Sequence, residues 1–391
     1  MARVQTRPWV KIIFLVWLVP FTSFFSFLVS FARGESTLPL IFNADNAYSA
    51  IQDQLNLGNR IPGTTAREDC ANYFKEKLAP YTTVIDHNYT LHGTACQNVV
   101  GILNPTVSGN IVIIGAHYDS RAISEKDPIS PASPCPGAND GAAGSAVLLE
   151  LTRILYQIRQ ILRVQIWFVF FDAEDQGYGG LSGWNYAEGS QVFASHLETI
   201  LGLTPLSEVK LMLLLDMVGG TGLRFAKDGY SNSTIQDLFF QLGRDLGYTS
   251  AFPTDPHYFS NLLDDHKWFA ARGIPSVDFI IDFTDTSGPW PYHHTTGDNL
   301  THINTDSLTI TGRTLERFFH EYYVSAVDGG GGRDAFWNWS GDWLLTETGA
   351  ILLSCVFGAC VVFGIYCAFK AYILKKHQVI KDLTTIKEAS L

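Results

Sequence analysis

Short, solid runs of apolar residues alternate along the chain with longer stretches in which apolar residues recur every three to four positions. The most pronounced solid run is Val164 to Phe171, where Ile166, Trp167, Phe168, Val169, Phe170 and Phe171 follow without a break and stop in Asp172-Ala173-Glu174-Asp175. A run this short with no polar face reads as a strand buried on both sides. Ligands of open α/β sheets sit at the carboxyl edge of such strands, so Glu174 and Asp175 are placed for chemistry rather than for solvation. Gln97 to Leu103, Ile111 to Ala116, Val209 to Leu215 and Ser276 to Ile281 read as further strands. Helical spacing marks Ala66 to Leu78, Gly141 to Leu162, Thr234 to Leu246, His266 to Arg272 and Ser307 to Tyr323. Strands that alternate with helices, without internal repeat, predict a three-layer α/β/α domain.

Both ends carry a different pattern. Arg3, Arg7 and Lys11 precede an apolar run from Ile12 to Phe31, so residues 1–32 read as a signal peptide cleaved after Ala32 or as a retained N-terminal anchor. Gly349 to Phe369 contains no charge and is long enough to cross a bilayer as a helix, with Lys370, Lys375, Lys376 and Lys381 behind it. The excess of lysine assigns the tail, residues 370–391, to the cytoplasm, and the basic N-terminal flank agrees, so residues 33–345, with the catalytic domain at 33–328, fall on the extracellular or lumenal side. Between them, residues 329–348 read as a juxtamembrane linker: a Gly329 to Gly332 spacer, then Trp337, Trp339 and Trp343 at the membrane interface. A lipid bilayer is thus one expected partner.

Composition removes two function classes. Of the 391 residues, 46% are hydrophobic and 13% aromatic, which excludes a disordered chain, and a net charge of -11 leaves no basic footprint for nucleic acid. Cys355, Cys360 and Cys367 fall in the expected span, leaving Cys70, Cys96 and Cys135 for an oxidising compartment, with Cys70 to Cys96 as the expected bridge. Asn88, Asn232, Asn299 and Asn338 head glycosylation sequons, usable where the cell glycosylates.

The candidate chemistry lies where strands stop. The second strand ends in His117-Tyr118-Asp119, the fully apolar one in Glu174-Asp175, and Leu211 to Leu215 in Asp216, while Asp140 sits in the turn that opens the long helix and His293-His294 follow the last strand. Each alone has a plainer reading: a turn aspartate, a core or surface histidine, or, for Asp140, a helix cap. Taken together, imidazoles and carboxylates without thiolate suit Zn²⁺, and an extra carboxylate beside the ligands suits activation of water. Two neighbouring ions sharing one carboxylate need five such ligands, and His117, Asp140, Asp175, Asp216 and His294 make five.

These motifs, with Gly137 to Gly144, Leu215 to Gly219 and Asp265-His266 in the same order, resemble the metallopeptidase family of zinc aminopeptidases that also holds the glutaminyl cyclases. The resemblance covers Asn59 to Tyr323. It implies a zinc exopeptidase fold with a central mixed, mostly parallel sheet, and one or two Zn²⁺ ions. Asp140 would bridge them, His117 and Asp216 complete one position, and Asp175 and His294 the other. Glu174 would be the general base, with Asp119 orienting His117. Family members often carry Glu where this chain has the shorter Asp175.

The implied function is a membrane-anchored aminopeptidase that hydrolyses the first peptide bond of extracellular or lumenal peptides through a metal-activated water, since hydrolysis is the commoner chemistry on this fold. The alternative is a glutaminyl-peptide cyclotransferase, because Leu263-Asp264-Asp265-His266 and Trp184 followed by Gly189-Ser190 resemble the cyclases, with Asp264 as a further catalytic acid. A catalytically inactive receptor ectodomain is a third reading, and the presence of Glu174 argues against it.

Overall fold

The apolar runs build one six-stranded sheet. In the computed structural model, which describes residues 36–200, 202, 206–284, 289–331 and 370, residues 36–331 fall in one compact unit. Two helices, α1 (Ala44–Asn56) and α2 (Thr65–Leu78), precede the antiparallel hairpin of β1 (Thr83–Leu91) and β2 (Thr94–Leu103). Then come β3 (Ile111–His117), α3 (Ala142–Gln157), β4 (Gln165–Phe171), α4 (Glu188–Ser195), α5 (Leu197–Ile200) and β5 (Val209–Asp216). The two-residue strands β6 (Lys227–Asp228) and β7 (Tyr258–Phe259) pair with each other, and α6 (Ser233–Asp245), α7 (His266–Ala270), β8 (Ser276–Ile280) and α8 (Thr305–Tyr322) complete the domain.

The strand order is β1-β2-β4-β3-β5-β8. β4, β3, β5 and β8 run parallel and β2 meets β4 antiparallel, so the sheet is mixed and mostly parallel, as expected. Parallel neighbours require long crossovers, and α3 supplies the one from β3 to β4. Every residue of β3 and β4 is buried, because helices cover both faces. The period of two splits the aromatic run of β4. Trp167, Val169 and Phe171 pack with Phe193, Leu197 and Phe269 from α4, α5 and α7. Phe170 points the other way and stacks on Phe74 of α2 with ring centroids 4.3 Å apart. Each such buried side chain contributes roughly 1.5–3 kcal/mol, which makes β4 the rigid element from which Glu174 and Asp175 project.

Several expectations shift. α1, β1 and α4 carry no strong apolar signal: α1 buries mainly Ala44, Ala47, Ala50 and Ile51, so small residues form its inner face, and β1 is an edge strand with one buried residue, His87. The long helix ends at Gln157, and Leu162 instead bridges Val324. The expected Cys70–Cys96 bridge is absent. Both are free, buried thiols; Cys70 lies on the inner face of α2, the Cys96 thiol points to the Thr94 carbonyl at 3.7 Å, and burial pushes both up to about 12. A thiol so protonated is inert to exchange. Gly329 accepts from Thr37 N–H at 2.8 Å and Gly331 donates to the His320 carbonyl at 3.0 Å, so the glycine stretch begins inside the domain.

Among the described residues no helix is long and apolar enough to cross a membrane. The expected signal or anchor segment, the tryptophans of the linker, Asn338, the expected span at 349–369 and the tail beyond residue 370 lie outside the described residues.

Candidate metal centre

Parallel register brings three strand ends to one edge. His117 is the last residue of β3 and pairs with Phe171, the last of β4, while Asp216 ends β5. His117 Nε2 lies 3.2 Å from Asp216 Oδ1 and 3.1 Å from Asp140 Oδ1. A second group faces the first across Asp140: His294 Nε2 stands 3.2 Å from Asp175 Oδ1 and 4.0 Å from Asp140 Oδ2. All five expected ligands are therefore brought together, each under a tenth exposed.

Buried polar contacts fix these side chains from behind. Asp119, fully buried, accepts from the backbone N–H of Glu174 at 2.9 Å and of Asp175 at 3.1 Å, and from Gln176 Nε2 at 3.0 Å. Its Oδ1 also lies 3.4 Å from His117 Nδ1, which leaves Nε2 turned to the two carboxylates. Asp119 thus ties the end of β3 to the end of β4, a wider task than orienting His117. The backbone of Asn139 and Asp140 is held by the Asp298 carboxylate at 2.7 and 3.0 Å. The plainer reading of Asp140 as a helix cap does not hold: the cap of α3 is Gly141, and no side chain caps it. Gly141 has φ +100, and a Cβ there would lie 2.5 Å from the Asp119 carbonyl, so only glycine lets this turn approach β3. Ala173, Met217 and His294 also hold left-handed backbone. Such conformations cost of order 1–3 kcal/mol and cluster at functional sites.

The crowded carboxylates suit a cation. Burial alone would lower the His117 imidazole, but Asp119, Asp140 and Asp216 outweigh it and hold the ring well above its ordinary value. Burial, then Asp264, push Asp216 up to about 7, against His117. Asp175 Oδ2 is buried with no hydrogen-bond partner among the described residues. Imidazole and carboxylate donors crowded this closely, one of the carboxylates with an orphaned oxygen, fit zinc. Glu174 belongs to neither group of three. Burial lifts its carboxyl well above the usual range, Asp264 and Asp175 push the same way, and His117 opposes. Asp264 is itself buried, its Oδ1 2.6 Å from Asp265 N–H, and burial raises it too.

The sequence alone assigns no role to Arg121, Glu125, Asn139 and Asp298, and His293 is legible only as the neighbour of His294. Arg121 and Glu125 contact the second group, and Asn139 Oδ1 accepts from Gly219 N–H at 2.8 Å, tying the Asp140 turn to the end of β5. His293 Nδ1 accepts from Lys126 Nζ at 2.7 Å, and the ring lies near Asp140 and His294. Arg121 and His293 adjoin motif residues and Asn139 lies within one, whereas Glu125 and Asp298 carry no local signal. A further buried group, Asp228, His266 and Asp278, also brings three donor atoms together; in it Asp228 Oδ1 meets His266 Nε2 at 2.9 Å, and Asp278 Oδ2 lies 3.8 Å from the opposite ring nitrogen.

The model of peptidase family M28 matches residues 98–319. Aminopeptidase YwaD of Bacillus subtilis (strain 168) is 28% identical over 233 residues, 58% of this chain and 44% of that protein, so the chain spans less than half of that relative's length. A Zn-dependent exopeptidase from Parabacteroides distasonis superposes with a TM-score of 0.64 at 30% identity, over 72% of this chain and 99% of that one. Glutaminyl cyclase of Bacteroides thetaiotaomicron, solved with N-acetylhistamine, gives 0.64 at 29% identity, over 72% and 98%.

Proposed function

The chain belongs to peptidase family M28, and from that premise we propose that it is a zinc-dependent glutaminyl-peptide cyclotransferase, converting the N-terminal glutamine of peptides or proteins to pyroglutamate with release of ammonia. The observation that carries the choice is Asp264, the acid that precedes the Asp265-His266 pair. It is buried rather than turned to solvent, and it adds to burial in pushing the Glu174 carboxyl up. The solved cyclase and the solved Zn-dependent exopeptidase superpose equally well, so the choice rests on Asp264.

His117, Asp140 and Asp216, or Asp140, Asp175 and His294, would hold the zinc. When bound there, zinc would supply a Lewis acid for the side-chain amide carbonyl of the substrate. Glu174 takes a proton from the α-amine as its nitrogen attacks the amide carbon, then returns that proton to the departing nitrogen, which leaves as ammonia. No water is consumed. A carboxyl raised by burial is suited to both halves of that transfer. Asp264 accepts a hydrogen bond from the amine and holds it in line, while Asp119 fixes the backbone that carries Glu174.

Hydrolysis of the first peptide bond is the second reading, favoured by the completeness of the five-residue set with two groups sharing Asp140. In it Glu174 would take its proton from water and pass it to the leaving amine. Two peptides differing only in an N-terminal Gln or Leu, offered to the full chain with zinc and followed by mass spectrometry, separate the two reactions. The Gln peptide is expected to lose ammonia at constant chain length and the Leu peptide to remain intact, with Asp264→Asn abolishing turnover. Release of free leucine with uptake of water, at a rate indifferent to Asp264→Asn, would reject the cyclase.

We also place the catalytic domain on the extracellular or lumenal side of a membrane, on the strength of the charge-free run at 349–369 and its lysine flank. Protease added to intact cells or right-side-out vesicles is expected to digest the domain and spare the tail; a protected domain overturns this orientation.

A further inference from the structure

Asp175 and His294 are supported by one ion pair, a buried arginine with a half-buried glutamate, that no motif announced. Arg121 is fully buried, and its Nη1 donates to Asp175 Oδ1 and to the Asp175 carbonyl, both at 3.0 Å. Its Nε donates to Glu125 Oε2 at 2.6 Å, and its Nη2 to the Tyr178 carbonyl. The other oxygen of Glu125 accepts from His294 Nδ1 at 2.6 Å. Glu125 therefore joins the support of one candidate ligand to the support of the other. The Tyr186 ring lies parallel to His294 at 6.2 Å and 5.4 Å from the Arg121 guanidinium, closing the pair from the side.

The consequence is directional. A proton on His294 Nδ1, fixed by Glu125, leaves the Nε2 lone pair toward Asp140 and Asp175. Arg121 occupies Asp175 Oδ1 and leaves Oδ2 as the buried, unpartnered oxygen. An aspartate reaches one methylene less far than a glutamate, and its free rotamers point elsewhere, so a short ligand gains most from being clamped. An isolated arginine beside a ligand would weaken cation binding by repulsion. Here the Glu125 carboxylate cancels that charge, and positioning is what remains.

We propose that Arg121 and Glu125 are positioning residues for the Asp175–His294 metal position, the counterpart of Asp119 at His117, and that the short ligand Asp175 depends on them to bind zinc. This rests on the zinc reading of the site. The test is zinc binding by the full chain, as wild type, Arg121→Met and Glu125→Gln, titrated by equilibrium dialysis with metal analysis and paired with circular dichroism and thermal melts. Arg121→Met keeps most of the buried volume, and Glu125→Gln, at a half-buried position, keeps the fold should the arginine variant lose it. Both are expected to lower the affinity of the Asp175–His294 step by about 10–100-fold, the usual effect of removing a support of a metal ligand. The double variant should lose no more than the larger single effect, because the two act as one unit. Unchanged zinc affinity in a folded Glu125→Gln overturns the proposal and leaves the zinc reading standing. A wild-type chain that takes up no zinc overturns both.

Discussion

Asp140→Asn is expected to cut zinc affinity by about a hundredfold or more and to reduce turnover to background while the fold persists. Among the described residues Asp140 is the one carboxylate within reach of both His117 and His294, with Oδ1 at 3.1 Å from His117 Nε2 and Oδ2 at 4.0 Å from His294 Nε2. An amide keeps the shape but loses the charge and one of the two donor oxygens. Zinc binding of about 10–16 kcal/mol spread over four ligands is roughly 3 kcal/mol each, and every 1.4 kcal/mol is a tenfold change. The fold should survive because the turn is held through backbone N–H groups that Asp298 accepts, which the substitution leaves alone. Metal analysis of the purified variant beside the Gln-peptide assay checks this. Full zinc content with normal turnover would remove Asp140 from the site.

Glu174→Gln separates chemistry from structure. General-base contributions are typically about 10²–10⁴-fold, and turnover is expected to fall within that range. Zinc content should not move, since Glu174 lies in neither ligand group. The melting temperature should hold or rise. A carboxyl buried against Asp264 and Asp175 destabilises the fold when charged, and a neutral amide of the same size relieves that repulsion. Such a split, lost turnover without lost stability, is the mark of a group kept for its reaction. A variant with near-normal turnover would take Glu174 out of the mechanism.

Apolar runs and what ends them were enough to locate the sheet and its reactive edge. A strand buried on both faces must be apolar throughout, and a parallel sheet must turn its carboxyl ends the same way, so His117, Glu174, Asp175 and Asp216 could be read as neighbours before any coordinate was known. Elements without that local signal stayed hidden: α1 buries alanines, and β1 is a half-exposed edge. The oxidising compartment expected for the domain suggests a Cys70–Cys96 bridge, where packing leaves two separate buried thiols. It offered Asp140 as ligand or cap, and only the tertiary structure, with Gly141 as cap and Asp298 holding the turn, assigned it to the cluster. The supports of the second position lay further out of reach, since Arg121 meets Asp175 and Glu125 meets His294 across long stretches of chain. A solid apolar run is written in adjacent residues, whereas a hydrogen bond between distant loops exists only once the sheet has folded and brought their ends to one edge.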